Sequence, residues 1–100
     1  MAEALILEFA GLSDADYAAV NGNLGIDMET GKGEWPAGLL SHAAGPSDEG
    51  TFVVAEVWSS RAAQAAFMES RLGPALGAAG VTVVPAVRWV PLRAYHVPET

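Results

Sequence analysis

The sequence predicts an α+β domain of the ferredoxin-like type, with one antiparallel sheet and helices on one of its faces. Apolar segments rich in β-branched residues alternate with segments of helical composition in the order β-α-β-β-α-β. The turn-forming run Gly-Pro-Ser-Asp-Glu-Gly lies between the second and third strands and predicts a hairpin. Because the 100 residues contain no linker or repeat, we expect a single domain spanning 1–100.

The first half of the chain predicts a strand, a helix and a long loop. Residues 3–10, EALILEFA, form a short apolar run that indicates the first strand. Ser13 and Asp16 have the spacing of a capping box, so a helix is expected to begin after Ser13, with Tyr17 on its apolar side. The run 25–36, rich in glycine and charge, is expected to form a loop.

The second and third strands are predicted to form the hairpin. Residues 37–44, AGLLSHAA, indicate strand two, and residues 51–58, TFVVAEVW, indicate strand three from their β-branched and aromatic side chains. Alternation divides strand three into two faces, Val53-Ala55-Val57 and Phe52-Val54-Glu56-Trp58. We expect the first set to pack under the helices. The second set is too apolar to face water, so we expect a second subunit to cover it.

The rest of the chain predicts further helix and a last strand. Ser60 is the expected N-cap of the second helix, whose alanines have high helix propensity. Gly73-Pro74 breaks this helix and begins another short one, since proline is tolerated in a first turn. Residues 81–97 form the last extended region. Pro85 and Pro91 cannot donate to a strand ladder, so they confine this strand to a sheet edge or interrupt it.

The composition excludes several classes of function. Five Lys and Arg stand against twelve Asp and Glu, a net charge of −7, which disfavours nucleic acid and anionic membranes as partners. The chain has no cysteine and no histidine cluster with metal-ligand spacing, so we expect no metal site. The first residues show neither a signal peptide nor a membrane span, and a cytoplasmic location is expected. Only 17% of the residues are charged while 51% are hydrophobic, which favours a homodimer that buries apolar surface.

The order of elements, together with the run WSSRAAQAAF at 58–67, resembles the dimeric α/β-barrel superfamily. Within it the chain is most similar to the antibiotic-biosynthesis-monooxygenase-like group of small uncharacterised proteins, which the run RLGPAL at 71–76 supports. The resemblance covers nearly the whole chain. It implies a strand order 4-1-3-2, a homodimer with facing sheets, and a cavity between sheet and helices in each subunit.

The resemblance leaves the reaction open. Some members oxidise aromatic polyketides with dioxygen and without metal or flavin, so no cofactor is expected. Others degrade haem, act on muconolactone-like compounds or have no known activity. The haem-degrading members imply a haem-ligating histidine on helix two, and residues 62–71 contain none. Fold cannot choose among the remaining activities.

Four ionisable residues interrupt the predicted strands. We expect Glu8, His42 and Glu56 to lie on the face that carries Trp58, whereas Arg88 has either orientation. Burial among apolar side chains tunes such groups into useful acids and bases. His42 is the first candidate for a catalytic base, because imidazole titrates nearest to pH 7, and Glu56 is expected to orient it.

The candidate ligand-binding residues are Trp58, Glu8, Arg88 and Tyr17. The resemblance implies that Trp58 stacks on an aromatic ligand, and the competing interpretation is that its ring packs in the core. The polar set could likewise form a satisfied network across a dimer interface. Two functions therefore stay open: a cofactor-independent monooxygenase-like enzyme acting on a small aromatic or polyketide-type molecule, and a non-catalytic homodimer that binds a small ligand or is structural.

Overall fold

A computed structural model describes residues 2–97 and confirms the predicted α+β, ferredoxin-like class. The strands are β1 (Glu3–Phe9), β2 (Leu39–Pro46), β3 (Phe52–Trp58) and β4 (Ala86–Pro91). The helices are α1 (Asp14–Leu24), α2 (Arg61–Phe67) and α3 (Gly73–Ala78), and a π-helical turn, Met68–Leu72, joins α2 to α3. The four strands form one antiparallel sheet in the order β2-β3-β1-β4, as the resemblance implied.

Side-chain caps start the two longer helices where the sequence predicts. The Ser13 hydroxyl accepts from the Asp16 N–H at 3.0 Å, and the Asp16 carboxylate accepts from the Ser13 N–H at 3.2 Å, which completes the capping box. The Ser60 hydroxyl accepts from the Ala63 N–H at 3.1 Å at the start of α2. Gly25 ends α1 in the left-handed conformation, which glycine adopts without a steric penalty.

The second strand begins two residues later than predicted. Gly38 has a φ of +88°, and a Cβ at this position would come within 2.6 Å of the Ala63 Cβ. The chain therefore turns tightly against α2 before β2 starts at Leu39. The fourth strand lies at a sheet edge, as Pro85 and Pro91 predict.

The faces of the sheet are the reverse of those predicted. Phe52, Val54 and Trp58 belong to the core under the helices, whereas Val53 and its neighbours on that side of β3 are only partly buried. Strand alternation defines two faces without saying which one the helices cover. Helices built largely of alanine and glycine leave room in the helix–sheet layer, and the larger side chains of β3 fill it.

The other side of the sheet, called here the open face, is mostly apolar. Within residues 2–97 no helix packs on it, since the apolar side chains of the helices belong to the core on the opposite side. The strand registers place these residues on the open face: Ala4, Ile6, Glu8, Ser41, Ala43, Val53, Ala55, Val57, Ala86, Arg88 and Val90. None of the helices within 2–97 has the length and apolarity needed to cross a membrane.

Candidate functional site

A cavity of about 110 Å³ lies between the helix-side face of the sheet and the helices. Its wall is predominantly apolar and includes Leu7, Phe9, Val20, Leu24, Phe67 and Val83. The wall side chains that carry N–H, O–H or carboxylate groups are Tyr17 and Asn21 from α1, Trp35 from the loop, His42 from β2 and Glu56 from β3. An apolar space with a few converging polar groups is the usual composition of a small-molecule site.

The sheet register brings His42 and Glu56 together. The two residues are direct partners across β2 and β3, so both side chains point into the same layer. Nδ1 of His42 lies 2.8 Å from Oε2 of Glu56, and the exposed fractions of the two side chains are 15% and 11%. The expected contact between the imidazole and the carboxylate is therefore present at the cavity wall.

Tyr17 closes the other side of the imidazole. Its hydroxyl oxygen lies 2.5 Å from Nε2 of His42, and the two rings are nearly parallel, with an interplanar angle of 4°. The Tyr17 ring packs on Phe52 with a centroid separation of 4.8 Å. The Trp35 ring lies against the His42 ring, with a centroid separation of 5.2 Å. The imidazole thus has a carboxylate, a phenol and an indole as immediate neighbours.

Trp58 lies in the core and hydrogen-bonds to Glu56. Its ring has no exposed surface and packs against Phe67 at a centroid separation of 5.8 Å. The Trp58 indole N–H donates to Oε1 of Glu56 at 3.0 Å. Residues two apart in a strand share a face, so Trp58 at the end of β3 lies on the same side as Glu56. Its ring can therefore fill the core while its N–H bonds to the Glu56 carboxylate.

Tyr17, His42, Glu56 and Trp58, called here the polar network, have a defined hydrogen-bond polarity. An indole N–H can only donate, and an ionised carboxylate can only accept, so Glu56 accepts from Trp58 and from the His42 Nδ1–H. In a neutral imidazole, Nε2 is then left as an acceptor, and the Tyr17 O–H donates to it. This assignment follows from the donor and acceptor chemistry of the four groups.

The Tyr17 hydroxyl stays protonated at neutral pH. Burial raises the pKa of this group above its ordinary value of about 10; the neighbouring Asn21 amide lowers it in part, and the negative charge of Glu56 raises it further. Asn21 is itself only 5% exposed, and its amide also donates to the Tyr17 carbonyl at 3.2 Å. Tyr17 is therefore a hydrogen-bond donor to His42 and not a tyrosinate.

Glu8 and Arg88 lie on the open face, so the prediction that Glu8 shares a face with Glu56 is wrong. Glu8 alternates with Leu7 and Phe9, which belong to the core, and it pairs with Val53 across the ladder. Its carboxylate accepts from the Thr51 hydroxyl at 2.7 Å. Arg88, whose facing the sequence left open, pairs with Ile6. The sheet separates both charges from the cavity.

The loop between α1 and β2 supplies Trp35, which was not among the predicted site residues. An isolated bridge between Ile26 and Gly33 closes the loop, and the Trp35 indole N–H donates to the Gly31 carbonyl at 2.8 Å. The glycine-rich run and the Trp-Pro pair that ends it indicate a loop but do not say where the Trp35 ring lies. Its contact with His42 depends on tertiary packing.

A metal site finds no support among the described residues. Over 2–97 no three histidine, cysteine or acidic side chains come close enough together to hold a metal ion. The polar network holds one imidazole and one carboxylate, and both are used in hydrogen bonds to neighbouring side chains.

Comparison with known proteins finds solved structures with a similar fold. No protein-family model matches the chain, and a comparison with curated protein sequences finds no match. The NE2512 protein of unknown function from Nitrosomonas europaea is similar with a TM-score of 0.68 and 21% identity, covering 99% of this chain and 96% of that one. A candidate antibiotic biosynthesis monooxygenase from Chloroflexus aurantiacus J-10-fl has a TM-score of 0.66 and 17% identity, with coverages of 98% and 100%.

A third similar structure is SnoaB, a cofactor-independent oxygenase from Streptomyces nogalater. Its TM-score is 0.64 and its identity 15%, with 98% of each chain covered. At such identities the similarity establishes a shared fold and says nothing of the substrate.

Proposed function

We propose that this chain, which has the ferredoxin-like fold of antibiotic-biosynthesis-monooxygenase-like proteins, is a cofactor-independent oxygenase-like enzyme acting on a small aromatic molecule. The observation that carries the proposal is the His42–Glu56 pair at the wall of an apolar cavity. An imidazole held by a carboxylate is a general base, and the surrounding apolar wall strengthens its electrostatic interactions. The description of SnoaB as a cofactor-independent oxygenase supports the same chemistry.

The reaction requires a substrate that is itself the reductant. Removal of the hydroxyl proton from a phenol or enol leaves an anion whose negative charge is shared between the oxygen and a conjugated carbon atom. That carbon gives one electron to dioxygen, recombines with the reduced oxygen and, after protonation, forms a hydroperoxide. Loss of water then leaves a carbonyl: a phenol and dioxygen become a quinone and water, with one oxygen atom in each. The polar network supplies the base, and the substrate supplies all four electrons.

The size of the cavity narrows the substrate to one ring. An apolar cavity of about 150 Å³ is known to admit benzene, whereas sites for drug-sized ligands occupy about 300–1,000 Å³. At about 110 Å³ the cavity is somewhat smaller than the one that admits benzene, so a single-ring phenol or enol is the largest substrate that a small adjustment of the wall would admit. A multi-ring molecule would require a larger displacement of the wall, in which Trp35, 38% exposed, is the most exposed residue.

The open face is proposed to be the interface of a homodimer. It carries Ile6, Val57, Val90 and several alanines, and its charged residues, Glu8 and Arg88, have opposite signs. An apolar sheet face of this kind is typically buried against another surface. A second copy of the chain presents the same face, and the two faces can pair about a two-fold axis. The homodimer proposed here would thus use the opposite face of the sheet from the one that the sequence predicted.

Native mass spectrometry of the protein as purified tests the assembly and the ligand together. We expect a dimer of 10.3-kDa chains, with or without a bound single-ring aromatic compound.

Oxygen uptake is then measured with a series of single-ring phenols and enols. His42→Ala should lower turnover by about 100-fold or more, because general-base catalysis contributes about 10²–10⁴-fold. His96→Ala, the matched control, should leave it unchanged.

The outcome against the proposal is equal turnover in wild type and His42→Ala, or no oxygen uptake with any member of the series.

A second function, binding of a small aromatic molecule without turnover, is favoured by one observation. Among the described residues no buried side-chain polar atom lacks a hydrogen-bond partner, as expected for a structural network. Under that alternative a phenol binds the cavity and is released unchanged.

A further inference from the structure

Both ring nitrogens of His42 are already hydrogen-bonded. Nδ1 bonds to Glu56 at 2.8 Å and Nε2 to the Tyr17 hydroxyl at 2.5 Å, while Trp35 lies against the ring. A substrate hydroxyl can therefore reach an imidazole nitrogen only by displacing one of these partners. If His42 were to take the proton directly, the Tyr17 side chain would have to leave.

Tyr17 has acceptor capacity that His42 lacks. A hydroxyl has one O–H to donate and two lone pairs that accept. The polarity of the network directs the O–H to Nε2 of His42, because Glu56 already takes the Nδ1–H. With the Asn21 amide beside it, the oxygen keeps a lone pair, and Tyr17 lines the cavity. Glu56 also keeps lone pairs, but only Tyr17 bonds to Nε2, the acceptor nitrogen of His42, so a ligand proton can pass through Tyr17 to His42 while every existing contact of the network is kept.

We propose, on the premise of the proposed function, that Tyr17 is a catalytic residue that binds the acidic hydroxyl of a single-ring phenol or enol and relays its proton to His42. The substrate O–H bond breaks and its proton bonds to the Tyr17 oxygen. The proton that Tyr17 held moves at the same time to Nε2 of His42. No electron is transferred in this step, and Tyr17 is neutral before and after it. The products are a substrate anion in the cavity and an imidazolium beside the Glu56 carboxylate.

The rest of the network is arranged to accept that proton. When His42 becomes positively charged, its Nδ1 lies 2.8 Å from Oε2 of Glu56. Both side chains are largely buried, with exposed fractions of 15% for His42 and 11% for Glu56. A short contact of opposite charges is strong in such an environment. Trp58, which has no exposed surface, holds the other carboxylate oxygen at 3.0 Å, so Trp58 is a positioning residue for Glu56.

The binding of 4-nitrophenol tests the relay without any turnover, since the visible absorption of this probe distinguishes phenol from phenolate. At a pH where the free probe is mainly neutral, we expect wild-type protein to bind it as phenolate. Tyr17→Phe keeps the ring against Phe52 and should bind the probe as neutral phenol, with the phenolate signal lowered about 10-fold or more, in line with the loss of a positioned proton acceptor. Tyr95→Phe, a change at an exposed tyrosine, is the matched control and should behave as wild type.

Each alternative result has a distinct meaning. If Tyr17→Phe still binds phenolate, the vacated Nε2 of His42 takes the proton directly and the relay is wrong, while the proposed function stands. If wild type binds the probe only as neutral phenol, the relay is also wrong. If wild type binds no phenol, the proposed function fails and the relay with it.

A measurement on wild-type protein alone covers the case in which Tyr17→Phe does not fold. Nitrogen-15 NMR reports the protonation of His42, with His96 as an internal reference. Binding of 4-nitrophenol as phenolate should convert His42 to imidazolium. A neutral His42 beside bound phenolate would overturn the relay.

Discussion

Glu56 links the core to the cavity, because its two carboxylate oxygens accept from Trp58 and from His42. The burial of this carboxylate is tolerable only because both oxygens are hydrogen-bonded. Removal of any one partner therefore leaves a buried polar atom unsatisfied, so effects of single substitutions spread to the neighbouring residues. The same property makes each member of the network separately testable.

Trp58→Ala is expected to lower the free energy of unfolding by about 3–5 kcal/mol, the range for a large aromatic residue removed from a core. The reason is that the ring has no exposed surface and that its loss leaves Oε1 of Glu56 without a donor. Urea denaturation measures the effect. Trp35→Ala, at a loop residue that is 38% exposed, should have a smaller effect. A loss below about 1 kcal/mol for Trp58→Ala would indicate instead a ring available to a ligand.

Ionisation of Tyr17 is expected to make the free energy of unfolding depend on pH in the alkaline range. Because burial raises the pKa of this hydroxyl in the folded state, the unfolded chain loses the proton first as the pH rises above about 10. The contribution is complete below pH 10 and is lost as the pH approaches the folded-state pKa. We expect the free energy of unfolding to fall above pH 10 more steeply in wild type than in Tyr17→Phe, as measured by urea denaturation across pH 9–11. Parallel profiles for the two proteins would contradict this expectation.

At the scale of elements, the loop between α1 and β2 is attached to the helices by one guanidinium. Nη2 of Arg71 donates to the Leu24 carbonyl at 2.9 Å and to the Glu34 carbonyl at 2.6 Å, and the group lies 5.5 Å from the Phe67 ring centroid. The loop is tightly closed as well, since a Cβ on Gly33 would meet the Gly25 carbonyl oxygen at 2.3 Å. These contacts hold Trp35 at the cavity wall.

Arg71→Ala is expected to loosen residues 25–36 while the sheet and helices are kept. The Leu24 carbonyl at the end of α1 and the Glu34 carbonyl in the loop lose a charge-assisted donor, which is worth more than a neutral hydrogen bond. Hydrogen–deuterium exchange in the loop should become about 10-fold faster, equivalent to roughly 1.4 kcal/mol of local stability. The control is Arg61→Ala, which removes a half-exposed ion pair with Glu3. Equal exchange in the two variants would show that Arg71 does not hold the loop.

At the scale of the whole molecule, the sheet divides two kinds of surface. The helix side encloses the cavity and the polar network, and the open face is a layer of small and β-branched side chains with Glu8 and Arg88 among them. The proposed homodimer would bury the open face and leave the cavity in each subunit. Assembly and catalysis would then be separable by mutation.

Ala55→Glu places a charge on the open face, opposite Ile6 in β1 and Ala43 in β2. In the proposed dimer this charge and its symmetry mate would be buried without partners, so the variant should be monomeric at concentrations where wild type is dimeric. Light scattering measures the mass. Val84→Glu, at a residue 87% exposed, is the control and should stay dimeric. A monomeric wild type would exclude the homodimer.

Much of this architecture could be predicted from local rules in the sequence. The caps at Ser13 and Ser60 and the edge position of β4 each depend on a few neighbouring residues. Such features follow from hydrogen-bond satisfaction and from the missing N–H of proline, which act within a turn or a strand. The pairing of His42 with Glu56 was also predictable, because alternation along a hairpin places partners on one face.

Only the tertiary structure decided which face of β3 meets the helices and what contacts His42. Alternation has a period of two and no direction, so it separates Glu56 and Trp58 from Val57 without telling which set is inside; the fit of large strand side chains to small helix residues decides that. Tyr17 reaches His42 across 25 residues of sequence, a contact set by how α1 packs on the sheet. The sequence by itself determined the elements and the chemical groups, whereas long-range packing placed those groups around one cavity.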